Sequence, residues 1–186
     1  AINIAEVMAA RDAQLLAEGG GRFLRSSTFY EDFVKTICTV NTNWNSTKRM
    51  VKLLVEEIGN GVFPTPLMIA DCGEAALRQT CKLGFRSPVL LNATTELLSK
   101  RVISDFGDLR PNCISYQELL SIRGIGPYSA SHVAMLEHDF SHIPVDSEVS
   151  KYCEEKYLIK PDEVAAFFES WGDYRFLGYK LSRILD

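Results

Sequence analysis

Two glycines and a proline within four positions, Gly124-Ile125-Gly126-Pro127, constrain this chain more than any other stretch. Upstream, Ser115-Tyr116-Gln117-Glu118 has the form of a capping box, in which a serine hydroxyl and a glutamate three residues on satisfy each other's exposed backbone donors. A helix is predicted to begin there. Arg123-Gly124-Ile125-Gly126 must then break it, because glycine adopts positive φ at little steric cost and lets another molecule approach the backbone closely. Pro127 fits the first turn of a new helix, where its missing N–H removes nothing the helix would have used. The pattern predicts two helices joined by a glycine hairpin, with the free N–H groups of the second pointing out of it. Those donors and the positive end of the helix dipole make a seat for an anion such as a phosphate. The alternative is an ordinary helix-turn-helix corner without a ligand.

Twenty residues beyond Gly126 stands Asp146, in Ile143-Pro144-Val145-Asp146-Ser147-Glu148-Val149. At the start of a helix an aspartate is a preferred cap and its backbone donors favour the carboxylate. Asp146 is therefore either a cap alone or a cap that also holds a fixed negative charge for chemistry. Glu148 is expected to meet the dipole of the same helix. His138 and His142 have metal-like spacing, but Asp139, Ser141 and Pro144 suggest a loop rather than one helical face, which argues against zinc.

Elsewhere the periodicity is helical. Val7, Met8, Leu15 and Leu16 suggest an amphipathic first helix ending at Gly19-Gly20-Gly21. Thr28-Phe29-Tyr30-Glu31 is another capping-box pattern, followed by Phe29, Phe33, Ile37 and Val40 at helix spacing. Val51, Leu54, Val55 and Ile58 continue after Trp44 until Gly59-Asn60-Gly61. Thr65-Pro66 opens a short helix, residues 73–82 form another, and Gly84 ends it. Leu97, Leu98, Val102, Ile103 and Phe106 read as one further helical face before Gly107. Helices near 147–157, 162–171 and 174–185 complete the chain. No run alternates as a strand would, so the expected fold class is all-α.

The 186 residues are 46% hydrophobic and carry no unbroken apolar run near the roughly 18 residues that a membrane span needs. No membrane partner is expected. The start lacks a basic region followed by an apolar core, so no secretory signal is visible. It is also not methionine, which leaves room for an upstream segment. Five cysteines without a C-x-x-C pair argue against a disulfide framework and a structural zinc site, and for an intracellular, reduced protein. The net charge of −4 runs against nucleic-acid binding, since binders of a polyanion usually show a basic footprint. Local clusters could still supply one: Lys48, Arg49 and Lys52, then Lys82 and Arg86, then Lys100 and Arg101, then Arg123. Their alternative is a scatter of solvated charges.

Hairpin and aspartate together resemble the helix-hairpin-helix glycosylase superfamily, whose signature is a Gly-x-Gly hairpin followed at this spacing by a catalytic aspartate in a Val-Asp context. Phe33-Val34-Lys35-Thr36-Ile37-Cys38-Thr39-Val40-Asn41-Thr42-Asn43-Trp44 and Leu83-Gly84-Phe85-Arg86 are similar to segments of its 8-oxoguanine and 3-methyladenine branches. The resemblance implies a two-lobed helical fold. One lobe would span 28–138 and contain the hairpin motif at about 115–137; the other would pair 1–27 with 139–186. It implies a monomer acting on double-stranded DNA that contains a damaged base.

By the same resemblance, Asp146 is the catalytic residue. Arg123, Gly124, Ile125, Gly126 and Ser129 meet the DNA backbone. Asn41 enters the space left by a flipped nucleotide, Phe85 is a wedge and Arg86 reads the orphaned partner base. Phe85 has the competing reading of a core aromatic, and Asn41 that of a polar turn residue. Tyr128, Trp44, Trp171 and Tyr174 offer π-faces for a base pocket, although aromatics at helical spacing also build cores. Members that cleave the backbone carry a lysine where this chain has Tyr128, and a phenol cannot form an imine with the sugar. That departure implies a monofunctional N-glycosylase acting on an alkylated or oxidised purine. The alternatives are a non-catalytic DNA-structure binder and a lyase that uses a lysine elsewhere. After Asp146 only Cys153 remains, too few thiolates for an iron–sulfur cluster. No cofactor is expected, apart from a possible monovalent cation at the hairpin backbone.

Overall fold

The computed structural model describes residues 19, 22–109 and 114–184. The expected first helix lies outside the described residues, as does Cys113. The fold is all-α: apart from one isolated bridge between Ile103 and Leu109, the described residues contain no strand. No helix among them is long and apolar enough to cross a membrane. Residues Arg25–Val133 form one compact unit. Those from Ala134 onward, with the described residues before Arg25, form a second.

The first unit holds α1 (Phe29–Thr39), α2 (Trp44–Leu53), α3 (Pro66–Ala75), α4 (Arg86–Ser99), α5 (Tyr116–Ser121) and most of α6 (Pro127–Leu136). Local chemistry sets most of the starts. Thr28 Oγ1 accepts from Glu31 N at 3.2 Å, Asn43 Oδ1 from Ser46 N at 2.9 Å and Thr65 Oγ1 from Met68 N at 3.3 Å. Each such cap is worth about 1 kcal/mol. The inward stripe of α1, with Phe29, Phe33, Val34 and Ile37, packs into a core completed by Leu54, Ile69, Leu77, Leu90 and Leu97. Within that core Thr94 donates to the Leu90 carbonyl at 2.7 Å, so Tyr30 must be the donor in its 2.6 Å bond to the Thr94 hydroxyl. Burial pushes the Tyr30 phenol well above its usual range.

Two expected helices differ. The face drawn from Leu97 to Phe106 is not continuous: α4 starts at Arg86 and ends at Ser99, and Phe106 is 76% exposed. Arg101 turns to φ +55°, and the Gly107 carbonyl accepts from Tyr30 N at 3.0 Å. The chain is drawn back to α1 instead of continuing the helix. The helix expected at 162–171 is broken into a 3₁₀ turn (Pro161–Glu163), a short α8 (Val164–Phe167) and a second 3₁₀ turn (Glu169–Tyr174), with Gly172 at φ +54° inside the last.

The second unit adds α7 (Ser147–Tyr157) and α9 (Arg175–Ile184). Its core joins Met135 and Leu136 to Ile143, Val149, Cys153, Val164, Phe168, Phe176 and Tyr179. Phe23 closes one side, with ring centroids 5.3 Å from Phe176 and 6.0 Å from Phe140. Trp171 lies flat against the backbone of α9 at Gly178, where an added Cβ would stand 2.6 Å and 2.7 Å from the ring atoms Cγ and Cε2. Alanine at position 178 gains up to about 1 kcal/mol of helix propensity, but forcing a methyl into a filled core costs about 1–3 kcal/mol. Gly178→Ala is therefore expected to lower the melting temperature by a few degrees, roughly 2–4 °C per kcal/mol at this chain length. Differential scanning calorimetry checks this, and an unchanged or raised Tm would contradict the packing of Trp171.

Candidate functional site

The hairpin forms as its residues dictate. Ser115 and Glu118 close the capping box, Ser115 N donating to Glu118 Oε2 at 2.6 Å and Glu118 N to Ser115 Oγ at 3.3 Å. α5 ends at Ile122, whose carbonyl accepts from Ile125 N at 3.0 Å, and α6 begins at Pro127. Ile125 and Ser129 are buried, so their side chains anchor the turn and do not reach outward, whereas Arg123, Gly124 and Gly126 are exposed.

The two glycines have different work. Gly124 sits at φ +92°, and a Cβ there would meet Val89 of α4 at 2.7 Å and 2.9 Å. Gly126 is not left-handed, and a Cβ there would meet nothing within 4 Å. The first glycine lets the hairpin close onto α4. The second leaves open space beside the first turn of α6, whose N–H groups have no acceptor within the helix.

The same end of α4 holds two further predicted segments. Phe85 is 53% exposed, which sets aside its reading as a core aromatic. Arg86 is only 7% exposed, and its guanidinium donates to the carbonyls of Val40, Asn41 (3.3 Å) and Leu83 (3.4 Å). Its central carbon lies 4.4 Å from the centroid of the Phe85 ring. Asn41 is exposed at φ +47°, in the turn between α1 and α2 that also presents Trp44, 68% exposed. Tyr128 is half-buried, its hydroxyl 3.5 Å from Thr39 Oγ1 at the end of α1. The turn at Asn41, the corner at Phe85 and the hairpin thus meet around the first turns of α4. Val89, the residue that seats the hairpin there, carries no signal in the sequence.

The basic clusters are only partly free. Lys52 pairs with Glu56 at 3.6 Å and Lys100 with Glu96 at 2.6 Å. Lys48, Arg49 and Arg123 are exposed.

In the second unit Asp146 is exposed and caps α7, its Oδ1 accepting from Val149 N at 2.8 Å. Trp171, as the clash at Gly178 shows, belongs to the packing of this unit, and Tyr174 is half-buried in the adjoining 3₁₀ turn. Sequence reasoning missed the basic residues of α9 that feel the charge of Asp146. Burial pulls the Lys180 ammonium below the usual lysine range, Arg183 works in the same direction and the charge of Asp146 opposes both. The Arg183 guanidinium is pushed above the usual arginine range, chiefly by the 2.9 Å bond it donates to the Tyr179 hydroxyl, and it lies 3.6 Å from Glu148. The signal available was two basic residues in an aromatic helix, with nothing in their spacing to tie them to position 146. Among the described residues no group of three metal-ligating side chains is assembled.

Two measurements follow from this geometry. Gly124→Ala must shift the hairpin away from Val89 and is expected to cost about 1–3 kcal/mol, whereas Gly126→Ala is expected to stay within about 0.5 kcal/mol of the wild type; urea titrations separate them. Because the Asp146 charge favours the Lys180 ammonium, Asp146→Asn is expected to lower the Lys180 pKa further. NMR titration of reductively methylated lysines reads the change, and an upward shift would contradict it.

No family model and no curated protein matches the sequence. Solved structures do match in fold. MBOgg1 in complex with a low-affinity DNA ligand aligns with a TM-score of 0.72 at 19% identity, over 100% of this chain and 72% of that one. The apo form of the Clostridium acetobutylicum 8-oxoguanine glycosylase/lyase aligns with a TM-score of 0.70 at 21% identity, over 95% and 68%. The 3-methyladenine DNA glycosylase from Archaeoglobus fulgidus gives 0.65 at 18%, over 92% and 64%. The chain therefore has the fold of the helix-hairpin-helix DNA glycosylases.

Proposed function

We propose that this protein is a DNA N-glycosylase that hydrolyses the bond between a damaged purine, alkylated or oxidised, and its deoxyribose, with Asp146 as the catalytic carboxylate. The observation that carries this reading is an exposed aspartate fixed as the cap of α7, at the signature spacing from a hairpin whose second glycine is open to solvent, in a chain with the glycosylase fold.

Breaking a base–sugar bond builds positive charge on the sugar. A preorganised anion beside that carbon stabilises the transition state and positions a water for attack. The base must first leave the stack, and the vacated space must be filled; exposed Asn41 and Phe85 suit that role. The N–H groups at Gly126 and the first turn of α6 suit a phosphate oxygen, and Lys180 and Arg183 add cations near the carboxylate for the polyanion. Tyr128 has no amine to form an imine with the sugar, so base release is hydrolytic. The protein acts alone on damaged duplex DNA.

Asparagine caps a helix as well as aspartate does, so Asp146→Asn tests chemistry without removing the cap. On duplexes bearing alkylated or oxidised purines it is expected to slow base release by about 10²–10³-fold or more, with affinity for the duplex little changed. Gly126→Ala blocks the open space and is expected to weaken binding about tenfold, the scale of one charge-assisted hydrogen bond. Salt-sensitive binding without turnover by the wild type on every lesion would leave a DNA-structure binder instead, and normal release by the Asp146→Asn variant would remove Asp146 from the chemistry.

A further inference from the structure

A guanidinium reads a base edge by presenting two parallel N–H groups to it. Arg86 has no such pair to offer. One terminal nitrogen donates to the carbonyls of Val40 and Asn41, the other donates to Leu83, and Nε is buried without a hydrogen-bond partner. All its acceptors are neutral, and no carboxylate lies at ion-pair distance from it among the described residues. To turn outward it would have to abandon both turn carbonyls. These carbonyls belong to the turn in which Asn41 stands at φ +47°, a left-handed conformation that asparagine tolerates better than other non-glycine residues. The same guanidinium lies under the Phe85 ring at 4.4 Å. One face of that ring rests on the cation while the side chain remains 53% exposed. The adjacent Ser87 hydroxyl is also buried and unpartnered, so this end of α4 is packed around the arginine and not arranged for its own hydrogen bonding.

We propose that Arg86 is a positioning residue which fastens the Asn41 turn to the Phe85 corner, so that the two enter a duplex as one piece, and that it does not read the base opposite the vacated site. The proposal rests on the DNA-binding side of the function given above. It makes the protein indifferent to the opposite base, because the side chain best suited to discriminate is inside the fold.

The test is binding to duplexes that carry a tetrahydrofuran abasic analogue opposite each of the four bases, with wild type, Arg86→Ala, Arg86→Lys, Asn41→Ala, Phe85→Ala and the double variants. Wild-type affinities are expected to agree within about threefold across the four bases, below the discrimination of a bidentate base contact. Arg86→Ala is expected to weaken all four alike, and Asn41→Ala or Phe85→Ala to add little in that background, since residues acting as one unit are non-additive. Arg86→Lys loses the planar fork and should behave like the alanine variant, and it carries the test if Arg86→Ala does not fold. A wild-type preference of about tenfold or more for one opposite base, the scale of a bidentate contact, or full additivity of the Asn41 and Phe85 losses without Arg86, overturns the proposal. The analogue has no base to release, so the two readings fail separately. Coupled binding without base release on any lesion would end the glycosylase reading alone, and base release with a strong opposite-base preference would end only this inference.

Discussion

A cation buried without a counter-ion among the described residues organises the first unit. Arg86 joins carbonyls 46 and 45 residues away in sequence to the corner from which α4 starts, and one turn later Val89 receives the hairpin at Gly124. Burying a charge against neutral dipoles alone is expensive, and leaving Nε unpaired adds to the expense. Such an arrangement persists only where the surrounding packing over-determines it. Here that packing is the core of α1, α3, the helical segment Ala76–Thr80 and α4, with Phe33, Ile69, Leu77 and Leu90 fully buried. The exposed residues Asn41 and Phe85, in turns, and Trp44, at the start of α2, are therefore mounted next to a packed core.

The second unit solves a different problem. There an exposed carboxylate is held in place at a helix start. Capping α7 fixes the position of Asp146, and the charges of Lys180 and Arg183 on α9 act on it with no direct ion pair among the described residues: Arg183 bonds instead to Tyr179 and Glu148. The Lys180 ammonium lies over the rings of Phe176 and Tyr179, 5.5 and 5.7 Å from their centroids, and within the field of Asp146.

Features whose causes are local in sequence were legible. The caps at Thr28, Thr65 and Ser115 and the hairpin depend on residues at most a few positions apart, and each lies where its pattern indicates. The helix expected through Val102 and Phe106 failed because apolar spacing cannot report that Arg101 adopts a left-handed conformation and that Gly107 is claimed by Tyr30. The burial of Arg86 was illegible for the same reason on a larger scale, since its acceptors are backbone carbonyls with no side-chain signature. Trp171 looked available for a ligand, and only the closeness of Gly178 shows what its ring covers. Asp146 was visible as a cap with a suggestive distance to the hairpin, but its basic neighbours on α9 were not, because α7 and α9 meet through tertiary packing.

The cap at α7 divides the two oxygens of Asp146 between separate duties. Oδ1 is tied to the Val149 amide at 2.8 Å, which stops the carboxylate from spinning about its side-chain bonds. Oδ2 has no hydrogen-bond donor among the described residues. A group held by one oxygen and bare at the other has a fixed front and back, and the entropic cost of that orientation is met during folding.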